Sequence, residues 1–166
     1  MDRRTAPRLL ATLALTASLA ACGGTDDEAA GTLADQISTD LSVEPDVPPS
    51  EEPAPEELVV GDVVAGDGAE ATDGTTAQVK YVGALYENGE EFDSSWSRGE
   101  DSTYPVTLGE GGVIPGFEQG IEGMQVGGRR VVTIPSDLGY GPAGAGDAIP
   151  GDATLVFVID LVEVTD

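Results

Sequence analysis

Residues 113–124 read VIPGFEQGIEGM and run directly into QVGGRRVVTIP, and this stretch limits what the chain can fold into. Pro115 suits the first turn of a helix, where its missing N–H would have had no partner. Phe117, Ile121 and Met124 recur at spacings of four and three, and Gly123 stands just past them as a stop. The predicted helix has about two turns, too few to persist alone in water. The rest of the domain must therefore wrap it.

The flanking segments read as strands. Leu58 to Ala71 alternates and pairs apolar residues before a Gly66-Asp67-Gly68 turn. Residues 75–86 place Val79, Tyr81 and Leu85 on one face and Gln78, Lys80 and Val82 on the other. Asn88-Gly89 signals a hairpin. Residues 91–99 start extended and become loop, 102–109 form a short strand, and 127–135 form another that Pro135 ends. Residues 136–152 are glycine-rich without a period, and loops of that length inside compact domains are commonly functional. Residues 153–164 are the most apolar strand, apolar on both faces at first, which predicts a central place in the sheet. Strands, one short helix, then strands imply an α+β fold with an antiparallel sheet and the helix on one face.

Charge and composition exclude several functions. The 166-residue chain has 31 acidic and 7 basic residues, a formal charge of −24 and no histidine. It would be repelled by phosphate backbones, so nucleic acid is not expected as a partner. Histidine-based triads, most zinc sites and histidine pH switches are absent, and no metal or cofactor is implied. Its single cysteine, Cys22, cannot form an internal disulfide.

Ahead of the domain, three arginines in residues 1–8 precede the apolar run Leu9 to Leu19 and then Ala20-Ala21-Cys22. This is a secretory signal layout, with a run shorter than the roughly 20 residues that span a bilayer. Leu19 to Cys22, LAAC, resembles the lipobox of bacterial lipoproteins. The resemblance implies a signal peptide over 1–21, lipid on Cys22, and anchorage at the outer face of the bacterial cell membrane. Residues 23–57 hold eleven acidic residues, five prolines and no basic residue. With Cys22 they read as a disordered acidic tether, in which Leu33, Ile37 and Leu41, spaced by four, form one fleeting helical face or stand as isolated apolar residues that bury too little surface to order it. The folded domain is then 58–166.

YVGALYENGEEFDSSW, VTLGEGGVIPGFEQGIEGMQVGGRR, LGYGPAGAGDAIP and ATLVFVIDL, in that order, resemble the FKBP-type peptidyl-prolyl cis-trans isomerases, the macrolide-binding immunophilins. The resemblance runs from about residue 58 to 166. It implies a twisted antiparallel sheet, a half-barrel wrapped around one short helix, with an apolar pocket between them. Carried over residue by residue, it implies Phe92, Tyr104, Val113, Ile114, Phe117, Ile149 and Phe157 as the substrate-binding wall. Asp93, Tyr81 and Tyr140 are implied as the catalytic polar groups, with the Tyr140 hydroxyl and the Ile149 N–H on the substrate's carbonyls. Asp93 and Tyr81 would contact the rotating carbonyl or fix the polarity of the pocket. The expected partners are Xaa-Pro segments of unfolded or exported proteins and, among small molecules, macrolides.

Two positions depart from the family pattern: Phe117 stands where tryptophan is common, and Ala145 where several relatives have histidine. Residue types alone also support plainer assignments. Phe117 and Phe157 fit an ordinary core, Asp93 a surface ion pair with Arg98, Trp96 a pocket rim or an ordinary exposed loop, and Arg129-Arg130 a solvated turn end. At the level of function, a foldase for exported proteins competes with a non-catalytic proline- or macrolide-binding module. A holding chaperone fits less well, since only 17 residues (136–152) separate the strands where such proteins carry an insert.

Overall fold

A computed structural model describes residues 33–166. The expected signal peptide, Cys22 and the start of the expected tether lie outside the described residues. Among the described residues the sheet strands and the central helix follow in order: β1 (Val59–Val64), β2 (Thr76–Leu85), β3 (Glu91–Ser94), β4 (Tyr104–Thr107), α1 (Pro115–Ile121), β5 (Arg129–Ile134) and β6 (Leu155–Thr165). The sheet runs β1-β5-β6-β2-β3, with every pair antiparallel. β6 is central, as its apolar character predicts, and pairs along the whole of β2 from Thr76↔Thr165 to Leu85↔Leu155. The far edge of β2 is divided: β3 takes Val82–Ala84 and β4 takes Thr76–Val79. The α+β architecture is the one implied by the sequence.

The helix forms where the proline–glycine punctuation puts it. Pro115 is in its first turn, and Gly123 follows its end with φ +76°. Seven residues suffice because tertiary contacts hold both ends. The Glu118 carboxylate accepts the Gly109 N–H at 2.8 Å, and Arg130 donates to the carbonyls of Gly120 and Glu122, each at 3.1 Å. Gly116 and Gly120 let α1 press on β5: a Cβ there would lie 2.4 Å from Ile134 and 2.7 Å from Val132. Phe117, Ile121 and Met124 join Val79, Tyr81, Val132, Leu155, Phe157 and Ile159 in the core between helix and sheet.

The other face of the sheet holds two corrections. Residues 33–53, expected to be part of a disordered tether, lie packed across it as a strap. Leu33, Ile37 and Val47 are buried against Val82, Ala84, Tyr86, Val131, Val156 and Val158. The physical reason is that Val82 and Ala84 of β2, Val131 of β5 and Val156 and Val158 of β6 give the second face an apolar patch that needs a cover. That cover comes from Leu33, Ile37 and Val47, which stand singly among acids and prolines. The strap's backbone is also tied in, with the Ser50 N–H donating to the Tyr86 carbonyl at 3.0 Å.

Arg129, expected at a solvated turn end, is 0 % exposed. It is paired in register with Asp160 of β6, donating to both carboxylate oxygens at 2.5 and 2.6 Å. Its remaining N–H groups reach the strap carbonyls of Ser38 (2.7 Å), Asp40 (3.2 Å) and Val43 (3.1 Å). A buried guanidinium is tolerated here because a carboxylate and three carbonyls together satisfy it. Arg130 is no solvated end either, since it pairs with Asp62 at 2.6 Å besides capping α1.

Candidate active site: an aromatic pocket between helix and sheet

All ten residues implied as site residues line one cavity of about 470 Å³: Tyr81, Phe92, Asp93, Tyr104, Val113, Ile114, Phe117, Tyr140, Ile149 and Phe157. Arg98, Gly112, Ala145 and Ala148 complete its wall. Phe117 forms the floor from the first turn of α1 and meets Phe157 of β6 edge to face, with ring centroids 4.9 Å apart. Tyr81 stands edge-on to both Phe117 (5.6 Å) and Tyr104 (5.9 Å), and Phe92 to Phe157 (5.5 Å). Edge-to-face rings pack tightly yet leave a concave surface, which suits a small apolar ring as occupant. Phe117 and Phe157 are therefore both core and pocket.

Local backbone irregularity aims Phe92. Gly83 pairs with Asp93 and Ala84 with Glu91, so Phe92 is the extra residue of a β-bulge. Gly83 makes room for it, because a Cβ there would lie 2.7 Å from Phe157 and 2.8 Å from Phe92. Gly83 was not singled out from sequence. A glycine inside a strand pattern was the available signal for a close approach.

The polar edge is a three-residue network. Arg98 donates to the Tyr81 hydroxyl at 2.6 Å, and that hydroxyl donates to Oδ2 of Asp93 at 2.5 Å. Arg98 also reaches Oδ1 of Asp93 at 3.4 Å. Asp93 is thus both a pocket residue and an ion-pair partner. Arg98 is a site residue that sequence reasoning placed only as that partner. Burial, then the bond to Asp93, push the Tyr81 phenol up to about 12, against the opposing pull of Arg98. Burial, with Asp93 and Tyr104 nearby, also raises Tyr140.

The loop after β5 is ordered by its own backbone. It makes two 3-10 turns, Ser136–Leu138 and Gly141–Ala143, and a bridge between Ala145 and Ile149. Gly144 is required where it stands, since a Cβ would fall 2.2 Å from the Ile149 carbonyl. Tyr140 is carried to the rim, 40 % exposed, and its hydroxyl has no hydrogen-bond partner among the described residues. The expectation for Ile149 needs correction. Its N–H donates to the Ala145 carbonyl at 3.1 Å and is not free for a substrate, because the bridge that folds the loop uses it. The Ile114 N–H, at the N-terminus of α1, has no acceptor among the described residues. Trp96 belongs to the opposite side: it packs against the strap-covered face with Lys80 over its ring at 4.4 Å.

Comparison with known proteins agrees with this geometry. The family model for the FKBP-type peptidyl-prolyl cis-trans isomerase matches residues 68–162. A probable FK506-binding protein of Corynebacterium glutamicum is 53 % identical over 110 residues, covering 66 % of this chain and 89 % of its own. An FK506-binding protein of Streptomyces anulatus is 49 % identical over 123 residues, covering 73 % and 95 %. Among solved structures, the crystal structure of AtFKBP13 superposes with a TM-score of 0.60 at 37 % identity, covering 68 % of this chain and 96 % of that one.

Proposed function

The chain belongs to the FKBP-type peptidyl-prolyl cis-trans isomerase family, and we propose that the aromatic pocket is where it turns Xaa-Pro bonds of exported proteins. One observation carries this reading. Six aromatic rings and a fixed carboxylate converge on one open cavity, and two donors at its edge, Tyr140 O–H and Ile114 N–H, have no acceptor among the described residues.

Rotation about an Xaa-Pro bond is slow because amide resonance holds the bond planar, with a barrier of about 18–20 kcal/mol. The twisted state has lost resonance and charge separation, so it is less polar than the planar amide. A pocket that strips water from the amide favours the twisted state, and no nucleophile is needed. The prolyl ring would lie on Phe117 against Phe92 and Phe157, with Val113 and Ile114 beside it. Tyr140 O–H and Ile114 N–H would hold carbonyls flanking the bond. The Tyr81 hydroxyl is committed to Asp93, so Tyr81 acts by fixing that carboxylate. A carboxylate beside the substrate's carbonyl oxygen repels the planar amide, with its partly negative oxygen, more than the twisted one. A hundredfold acceleration needs only about 2.7 kcal/mol.

The test is a peptide isomerisation assay on the full chain with Xaa-Pro tetrapeptides. The expected result is a rate well above the spontaneous one that Tyr140→Phe reduces. A rate equal to the spontaneous one, with macrolide still bound, would leave a non-catalytic binding module.

We also infer export and anchoring through lipid on Cys22, on the strength of the LAAC sequence. The strap shortens the leash this gives: from Cys22 to Leu33 is eleven residues, at most about 36–40 Å fully extended. Fractionation of cells making the wild type and Cys22→Ala tests it. Membrane association should be lost in the variant, and equal partition of the two would refute the anchor.

A further inference from the structure

Ser94 is where the strap meets the turn that carries the polar edge of the pocket. Its side chain is buried, and its hydroxyl donates to Oε1 of Glu44 at 2.5 Å. Ser94 Oγ in turn accepts the Trp96 backbone N–H at 3.2 Å, and the Ser94 carbonyl accepts the Ser97 hydroxyl at 2.8 Å. Asp93 is the residue before Ser94, and Arg98 follows four residues after it. On the pocket side the turn is pinned to Tyr81, whose N–H donates to the Ser95 hydroxyl and whose carbonyl accepts the Ser95 N–H, each at 2.9 Å. On the other side, Glu44 is the strap side chain bonded to it among the described residues.

Glu44 is itself held in place. Arg129 grips the carbonyl of Val43 at 3.1 Å, and Pro45 and Val47 on its other side are buried. A hydroxyl-to-carboxylate bond is short and strong, and it fixes where the Ser94 proton points. That direction matters because the oxygen must also present a lone pair to the Trp96 N–H. The network of Asp93, Tyr81 and Arg98 is thereby clamped from both faces of the sheet.

We propose that Glu44 is a positioning residue of the isomerase, acting through Ser94 to set the turn that aims Asp93 and Arg98 into the pocket. Glu44 stands outside the residues matched by the family model, 68–162, so the working unit includes the strap. The proposal rests on the isomerase reading above, and its test separates the two.

Five full-length variants decide it: Glu44→Ala, Glu44→Gln, Ser94→Ala, the Glu44→Ala/Ser94→Ala double variant and, as a control, Asp46→Ala, which removes a neighbouring strap charge. Misplacement of a catalytic group by a fraction of an ångström costs roughly three- to tenfold in rate. Glu44→Ala should therefore lower kcat about three- to tenfold with KM within about twofold. Glu44→Gln keeps an acceptor for Ser94 and should recover most of the loss, Asp46→Ala should match the wild type, and Ser94→Ala should add nothing in the Glu44→Ala background. In amide NMR spectra, Glu44→Ala should shift Asp93 and Trp96, and Asp46→Ala should not. The proposal is overturned if Glu44→Ala only lowers the urea midpoint while kcat and KM stay unchanged, or if Asp46→Ala loses as much activity. A wild type without activity overturns the isomerase reading, and unmoved Asp93 and Trp96 amides separately overturn the link through Glu44.

Discussion

The two faces of one sheet solve opposite problems. Towards α1, the side chains of β2, β5 and β6 meet rings that touch edge to face and leave about 470 Å³ open. Away from α1, the same strands meet Leu33, Ile37 and Val47 of the strap, and a fully buried arginine is satisfied completely. One face keeps donors without acceptors among the described residues, a carboxylate edge and an unfilled aromatic cavity. On the other, the strap covers the sheet's apolar patch and Arg129 is fully partnered. An open pocket in a domain this small is tolerable because stability is secured on the other side.

The largest expected effect breaks the closed face. Asp160→Ala leaves Arg129 buried without its carboxylate, and losing one partner of a buried pair costs about 3–5 kcal/mol. Urea unfolding should show that loss, and limited proteolysis should show cleavage within residues 33–53.

Next is Gly83→Ala on the open face, where the new methyl collides with Phe92 and Phe157. Overpacking of this kind costs about 1–3 kcal/mol. Because the colliding rings are pocket walls, kcat/KM should fall more than tenfold, a loss that Asp160→Ala should not show in protein that remains folded.

Tyr140→Phe should separate activity from stability. Its hydroxyl has no partner among the described residues, so unfolding should change by no more than about 0.5 kcal/mol while isomerisation falls severalfold. Asp93→Asn should likewise cost less than about 1 kcal/mol, because its pair with Arg98 is half exposed, yet reduce kcat.

The smallest effect is with pH. No histidine is present, and both pocket tyrosines that titrate upward stay protonated at neutral pH, so kcat/KM should be flat from about pH 6 to 9. Tyr81 is raised in the folded state, so the stability it contributes is full below its ordinary value of 10.0 and is lost as pH rises through about 12. Tyr81→Phe should remove its share of the alkaline slope and leave that of Tyr140.

Much of the open face was legible because its signals are local. Alternation marks β2, Asn88-Gly89 marks the hairpin, Pro115 and Gly123 bracket α1, and the four motifs carry nine of the ten residues that meet in the cavity, with Tyr104 just ahead of the second motif. The closed face was not, because its signals are long-range. Leu33, Ile37 and Val47 stand singly among acids and prolines, and the surface they cover comes from strands far along the chain. Arg129 follows two glycines and looked solvated. The counter-signal was Asp160, a lone acid in the most apolar strand, which register pairs with it. The Ile149 N–H was misjudged for a third reason: the bridge to Ala145 is set by loop backbone geometry, which no residue pattern displays.

The central claim, that the aromatic pocket is the site of isomerisation, is tested most directly by titrating FK506 into the peptide assay on the full chain. The expected result is loss of activity in step with one-to-one binding, with the resonances of Phe117, Phe157 and Tyr81 shifting over the same range. Full isomerase activity at saturating macrolide, with those ring resonances shifted, would place catalysis elsewhere and contradict the account.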